Sequence, residues 1–180
     1  DFIITGQNEE RKDQVVLIEL KQWQKASLTN KDAIVNTRFS HGKKDTQHPS
    51  YQAWSYAMLL KSYNTAVYDG DIELAPCAYL HNYKEDGVIK NEFYKEYLDA
   101  APLFCKDDKV DLKDFIKRYI KFGDEKDIIF EIENGEIRPS TVLADSMVSL
   151  MKGNKEFTLI DDQKEVFEEA KALAKKSKVG

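Results

Sequence analysis

Two apolar runs with β-type character open the chain: Phe2-Ile3-Ile4-Thr5-Gly6, headed by Asp1, and Val15-Val16-Leu17-Ile18-Glu19-Leu20-Lys21. The polar stretch Gln7 to Asp13 between them suits a hairpin loop. Strands at Asp1–Gly6, Gln14–Lys21 and about Ala33–Phe39 are therefore predicted to form a meander, with a long loop before the third. Pro49 and Ser50 then mark a helix start, and Ser50 to Tyr63 contains no Gly or Pro. An apolar strand at Ala75–Asn82 follows, giving β-β-β-α-β, and the helix–strand step is where the pairing is expected to turn parallel.

Further along, a short helix is predicted near Glu92–Leu98. An amphipathic helix follows at Leu112–Phe122, its stripe of Phe115, Ile116, Tyr119 and Ile120 facing a core. Ile128–Glu133, Asn134-Gly135 and Glu136–Arg138 read as a hairpin with a two-residue turn. Ser140 is expected to cap a helix to Met151, and Asp162–Lys176 to form a last one. The fold class is α/β: a core over residues 1–105 and a mostly helical extension over 106–180.

With 180 residues, 42% of them hydrophobic, the chain can bury one substantial core. Nothing approaches a transmembrane stretch or a signal peptide, and Cys77 and Cys105 lie in apolar runs as reduced core residues, so a cytoplasmic location is expected. Two cysteines cannot by themselves make a zinc site, nor can they make a four-cysteine iron–sulfur cluster, and the spacing of His41, His48 and His81 fits no metal motif. No Gly-x-x-x-x-Gly-Lys-Ser/Thr string occurs, so ATP binding is not expected. The net charge of −5 predicts weak affinity for nucleic acid, because phosphate binding relies on Lys and Arg. The basic residues Lys25, Lys31, Arg38, Lys43 and Lys44 cluster, however, whereas acids concentrate in Glu85–Glu96 and Asp107–Glu133.

Candidate chemistry sits at the end of the second apolar run. Side chains alternate in a strand, so Glu19 and Lys21 share one face while Ile18 and Leu20 take the other. A hairpin with the first run can bring Asp1 beside them, converging two carboxylates and a lysine as a hard-metal site with an electrostatic helper. In a chain that is 33% charged a Glu-x-Lys pair alone means little, and it recurs at Glu10–Lys12 and Glu169–Lys171. Only Glu19–Lys21 follows a long β-type run, and a plain salt bridge at a strand edge is the competing reading. On the following helix Gln52 and Tyr56 are one turn apart on one face, placed to donate to a phosphate or hold a water, or simply to line a half-exposed face.

Asp, then Glu-x-Lys, then Gln-x-x-x-Tyr on the next helix resembles the PD-(D/E)xK nuclease superfamily, in its RecB-like exonuclease branch. The matching residues are Asp1, Glu19, Lys21, Gln52 and Tyr56. The strings around them, with Cys77-Ala78-Tyr79-Leu80-His81-Asn82-Tyr83, are similar to a bacterial family in which such a nuclease domain precedes a Schlafen-like superfamily 1 helicase. Phe157-Thr158-Leu159-Ile160-Asp161-Asp162-Gln163 resembles the adenine-reading Q-motif of those helicases. The chain stops where their phosphate loop would begin and lacks an initiator Met, so it reads as a piece of a longer protein. The superfamily core begins with a helix before its first strand, for which no sequence is present.

The resemblance implies a restriction-endonuclease-like core that hydrolyses phosphodiester bonds, DNA favoured over RNA, with a helicase domain of the same polypeptide as partner. It implies Mg²⁺ or Mn²⁺ held by Asp1, Glu19 and the backbone carbonyl of Leu20. Beside two carboxylates Lys21 is expected to keep its proton and act as an orienter of water and a stabiliser of phosphate charge rather than as a base. Lys25, Arg38, Lys43 and Lys44 are candidate phosphate contacts, with His48 a further one. A module of the same fold that binds nucleic acid, or packs against the helicase, without cutting is the alternative. Asp1, as first residue, is the least anchored member of the set.

Overall fold

The computed structural model describes residues 1–137 and 162–177, which fold as a mixed α/β protein. Its larger sheet starts from a hairpin in which β1 (Phe2–Gln7) runs antiparallel to β2 (Asp13–Lys21), with Phe2 opposite Ile18 and Gln7 opposite Asp13. Asn8 shapes the turn: its side chain accepts from the backbone N–H groups of Glu10 (2.9 Å) and Lys12 (3.0 Å), while Arg11 takes left-handed backbone (φ 61°).

The third predicted strand does not extend this meander. The other edge of β2 is taken by β6 (Glu73–Leu80), parallel from Gln14 opposite Glu73 to Lys21 opposite Leu80. β7 (Leu103–Cys105) adds in parallel, giving the mixed order β1-β2-β6-β7. Residues Ile34–Phe39 instead form β4, the centre of a separate antiparallel sheet with β3 (Ala26–Leu28) and β5 (Gly42–Gln47). Gly42 makes the tight turn after Ser40-His41 possible, with φ of 123° where a side chain would be strained.

The pleat sorts the core. Val16 and Ile18 of β2, with Ala75, Cys77 and Phe104, face α4 (Lys109–Tyr119) through Phe115 and the flanking Leu112, Ile116, Tyr119 and Ile120. The predicted stripe is thus core, and the region after residue 105 closes one face of the sheet. Beyond α4 the chain crosses the free edge of β1, where Gln7 N donates to Phe122 O (3.0 Å). A Cβ at Gly6 would come within 2.5 Å of that same carbonyl, so this crossing requires glycine.

On the opposite face, Val15 and Leu17 pack with Ala57 and Leu60 of α1 (Pro49–Tyr63), with Ala66 of α2 (Thr65–Tyr68) and with Ile72. Ile128 and Ile132 complete this cluster from α5 (Ile128–Asn134), where a hairpin was expected. The i, i+4 spacing of the two isoleucines is a helical one. Asp124 fixes the helix start by accepting from Lys126 N and Ile128 N, both at 2.9 Å. Asn134-Gly135 therefore ends a helix rather than turning a hairpin.

The short helical segment was expected near Glu92–Leu98 and is a 3₁₀ turn (Glu92–Tyr94) running into α3 (Lys95–Ala100). The last described helix, α6, spans Asp162–Ser177. The helix expected between Ser140 and Met151 lies outside the described residues. Cys77 and Cys105 are free and buried, and burial pushes each thiol up to about 12. No helix among the described residues is long and apolar enough to cross a membrane.

His48 forms the N-cap of α1 and is not placed to touch a phosphate. It is fully buried, its Nδ1 accepts from Ser50 N (3.2 Å), and its Nε2 faces Ile89 O at 2.8 Å. Its ring stacks on Tyr94 with centroids 4.4 Å apart. These partners require the neutral ring with the proton on Nε2, since protonating Nδ1 would abolish the cap. Burial lowers the His48 pKa from 6.5 to about 4, against a smaller upward pull from the Ile89 carbonyl. As pH falls from about 6.5 to about 4, the unfolded chain takes up a proton that folded His48 refuses, so stability is full above this window and drops through it. The expected loss is about 3 kcal/mol. Urea titrations across this range should show it, and His48→Asn, which keeps a capping acceptor, should flatten the slope. An unchanged slope in the variant would remove His48 as the cause.

Candidate functional site

The face of β2 that carries Val15 and Leu17 into the core carries Glu19 and Lys21 beyond it. Glu19 is 3% exposed. Its Oε1 meets Lys21 Nζ at 2.5 Å, and Lys21 also lies 5.7 Å from the Trp23 ring centroid. Glu19 Oε2 is buried and has no hydrogen-bond partner among the described residues. A buried carboxylate oxygen left in that state is costly, and a cation is one way to compensate it.

Asp1 reaches the same strand end. The β1 ladder stops at Phe2 opposite Ile18, and the exposed Asp1 bends across so that Oδ1 accepts from Leu20 N at 3.4 Å. In an extended strand the N–H and C=O of one residue point the same way. The Leu20 carbonyl is therefore directed to the edge where Asp1 stands, so that Asp1, Glu19 and this carbonyl all lie at one end of the hairpin. All three are hard oxygen donors, which suits Mg²⁺ or Mn²⁺ and not a thiophilic metal. No group of three or more His, Cys, Asp or Glu side chains among the described residues is gathered to hold a metal, so any such site here depends on the backbone oxygen.

Pro49 and the His48 cap start α1 so that Gln52 and Tyr56 stand together on it: Gln52 Nε2 donates to Tyr56 Oη at 3.0 Å. Gln52 and Lys21 line a cleft of about 730 Å³. The rest of its wall comes from Trp23, the β4–β5 hairpin from Phe39 to Lys44, Thr46 and Gln47, and from Asp162 and Glu165 of α6.

Comparisons with protein-family models, with curated proteins and with solved structures find no match to this chain.

Of the four other basic candidates, Lys43 and Lys44 line the cleft, while Arg38 is exposed directly across the ladder from Lys43. Lys25 is exposed just before β3, where its carbonyl accepts from Thr37 Oγ1 at 2.7 Å. The hydrogen bond that Lys44 donates to Glu165, at a separation of 3.2 Å, holds its ammonium above its usual range.

Sequence reasoning missed Trp23, Phe39 and the two α6 carboxylates as cleft residues. The alternation across Ile34–Gln47 around Ser40-His41-Gly42 is a hairpin signal that could have placed Phe39 beside Lys43. No local signal places α6 there, since the contact joins segments more than a hundred residues apart.

The Glu19–Lys21 pair has a measurable consequence for stability. Lys21→Met strands the Glu19 carboxylate in a buried setting, and the loss in urea denaturation should be about 3 kcal/mol. Glu19→Gln/Lys21→Met should recover most of it. A double variant no more stable than the single one would show that the buried charge is not what makes the pair costly.

Proposed function

We propose that this chain is a metal-dependent nuclease domain of the PD-(D/E)xK, RecB-like type with a restriction-endonuclease-like core. On this reading it hydrolyses phosphodiester bonds, DNA in preference to RNA, beside a helicase domain of the same polypeptide. The observation that carries the reading is the unpartnered Glu19 Oε2, buried next to Lys21 at the strand end that Asp1 also reaches. The order of elements supports it as well: a hairpin bearing the carboxylates, then the Gln52–Tyr56 helix, then a strand parallel to β2.

Asp1, Glu19 and the Leu20 carbonyl would hold Mg²⁺ or Mn²⁺. When bound, such an ion polarises a phosphate and makes hydroxide available near neutral pH. Lys21, fixed against Glu19 and lining the cleft, supplies positive charge to the phosphate oxygens as negative charge builds on them. Gln52 spends one amide N–H on Tyr56 and retains another to orient a phosphate oxygen or the attacking water. Lys43 and Arg38, exposed beside the cleft, draw the polyanion toward it.

The test is cleavage of labelled linear and circular DNA and RNA in Mn²⁺ or Mg²⁺. Glu19→Ala and Lys21→Ala should each slow cutting about 100-fold or more. Mn²⁺ should raise the melting temperature of the parent but not of Glu19→Ala, and Lys21→Ala should lose rate more than metal affinity. A folded protein that neither cuts any substrate nor gains stability from Mn²⁺ would overturn the reading in favour of a binding module.

A further inference from the structure

Both carboxylates that line the cleft among the described residues come from one helix. Asp162 and Glu165 of α6 face Lys21, Lys43, Lys44 and Gln52 across it. Glu165 Oε2 lies 3.2 Å from Lys44 Nζ, and Glu169 continues the row with Oε1 3.9 Å from Lys31 Nζ. Positions 162, 165 and 169 recur at i, i+3 and i+7, so the three acids form a single stripe, of which Asp162 and Glu165 line the cleft.

The helix is held by a different contact. Lys164 Nζ bonds Asp32 Oδ2 at 2.7 Å, lies 5.3 Å from the Tyr51 ring centroid, and its side chain is only 8% exposed. Anchor and acidic stripe are thus separate residues with separate partners. The stripe's hold on the cleft is exposed at the cation's end: in the Lys44–Glu165 pair Lys44 is 64% exposed and Glu165 16%, so water and salt reach the ammonium and screen the contact. A polyanion that also releases counterions on binding can outcompete such a contact.

We propose that α6 is a built-in competitor for nucleic acid: Asp162 and Glu165 stand in for phosphates at the cationic mouth of the cleft, and a strand must displace them to reach Lys44 and Lys21. This rests on the nuclease reading of the cleft. It assigns the weak affinity expected from an acidic chain to two particular residues rather than to overall charge. Binding is gated by two side chains of a surface helix whose anchor, Lys164 against Asp32 and the Tyr51 ring of α1, lies outside the cleft lining.

The experiment is fluorescence anisotropy with a labelled single-stranded DNA oligonucleotide in EDTA and low salt, so that binding is read without cutting. Asp162→Asn/Glu165→Gln should bind roughly tenfold more tightly, with a salt slope steeper by about one phosphate contact. Asp107→Asn/Asp114→Asn, which changes net charge equally just before and on α4, outside the cleft, should gain less than about twofold. Adding Lys44→Ala to the first variant should erase its gain. Equal gains in both pairs, or a gain that survives Lys44→Ala, would overturn the proposal. Cutting assayed in parallel separates the two readings. Glu19-dependent cutting with no gain in binding removes the competitor and keeps the nuclease. A gain that depends on Lys44, without cutting, keeps the competitor over a binding groove and removes the nuclease.

Discussion

The pleat of β2 is the constraint on which the other features depend. Because side chains alternate, the residues that fasten α1 to the sheet, Val15 and Leu17, are continued by Glu19 and Lys21 on the same face, while Val16 and Ile18 face α4. The strand is covered on both faces and paired on both edges, with β1 on one side and β6 on the other. A slip of one residue would bury the wrong set and carry Glu19 to the α4 side. Core and candidate site therefore share one register.

That arrangement places a charge where apolar packing would be cheaper. Ala78 stands opposite Glu19 in the parallel ladder and Leu80 opposite Lys21, both fully buried. Apolar residues at 19 and 21 would extend this face without any desolvation penalty. Local stability does not explain an ion pair with one carboxylate oxygen unmatched, and functional sites are where such departures from packing rules concentrate.

Much of this was legible in the sequence because it is written in short-range pattern. The alternation of Val15 to Lys21, the uninterrupted helix from Pro49 and the parallel strand after it are local signals, and strand and helix periods alone put Glu19 on one face with Lys21 and Gln52 on one face with Tyr56. What was not legible depends on long-range pairing. Ile34–Phe39 looks like a third strand of the meander, but β6, more than thirty residues later, takes the edge it would need. Ile128–Asn134 has β-branched residues that suit a strand, yet the tertiary demand of Val15 and Leu17 for apolar cover selects the helical spacing of Ile128 and Ile132. His48 reads from its basic neighbours as a candidate phosphate contact, and only the tertiary contacts to Ile89 and Tyr94 make it a buried, neutral cap.

The hairpin turn at Asn8 stands at the far end of β1 from Asp1, about 20 Å away along six residues of strand. Yet it is this turn that sets which residue of β2 lies opposite Phe2, and hence whether the first carboxylate arrives at Leu20 or one step beside it. The two acidic ligand candidates behave like the tips of a pair of tongs whose pivot is Asn8 and the left-handed Arg11. Adjustment at the pivot changes the gap at the tips without touching either tip. A loop that looks like mere connection is in this sense the calibration screw of the site.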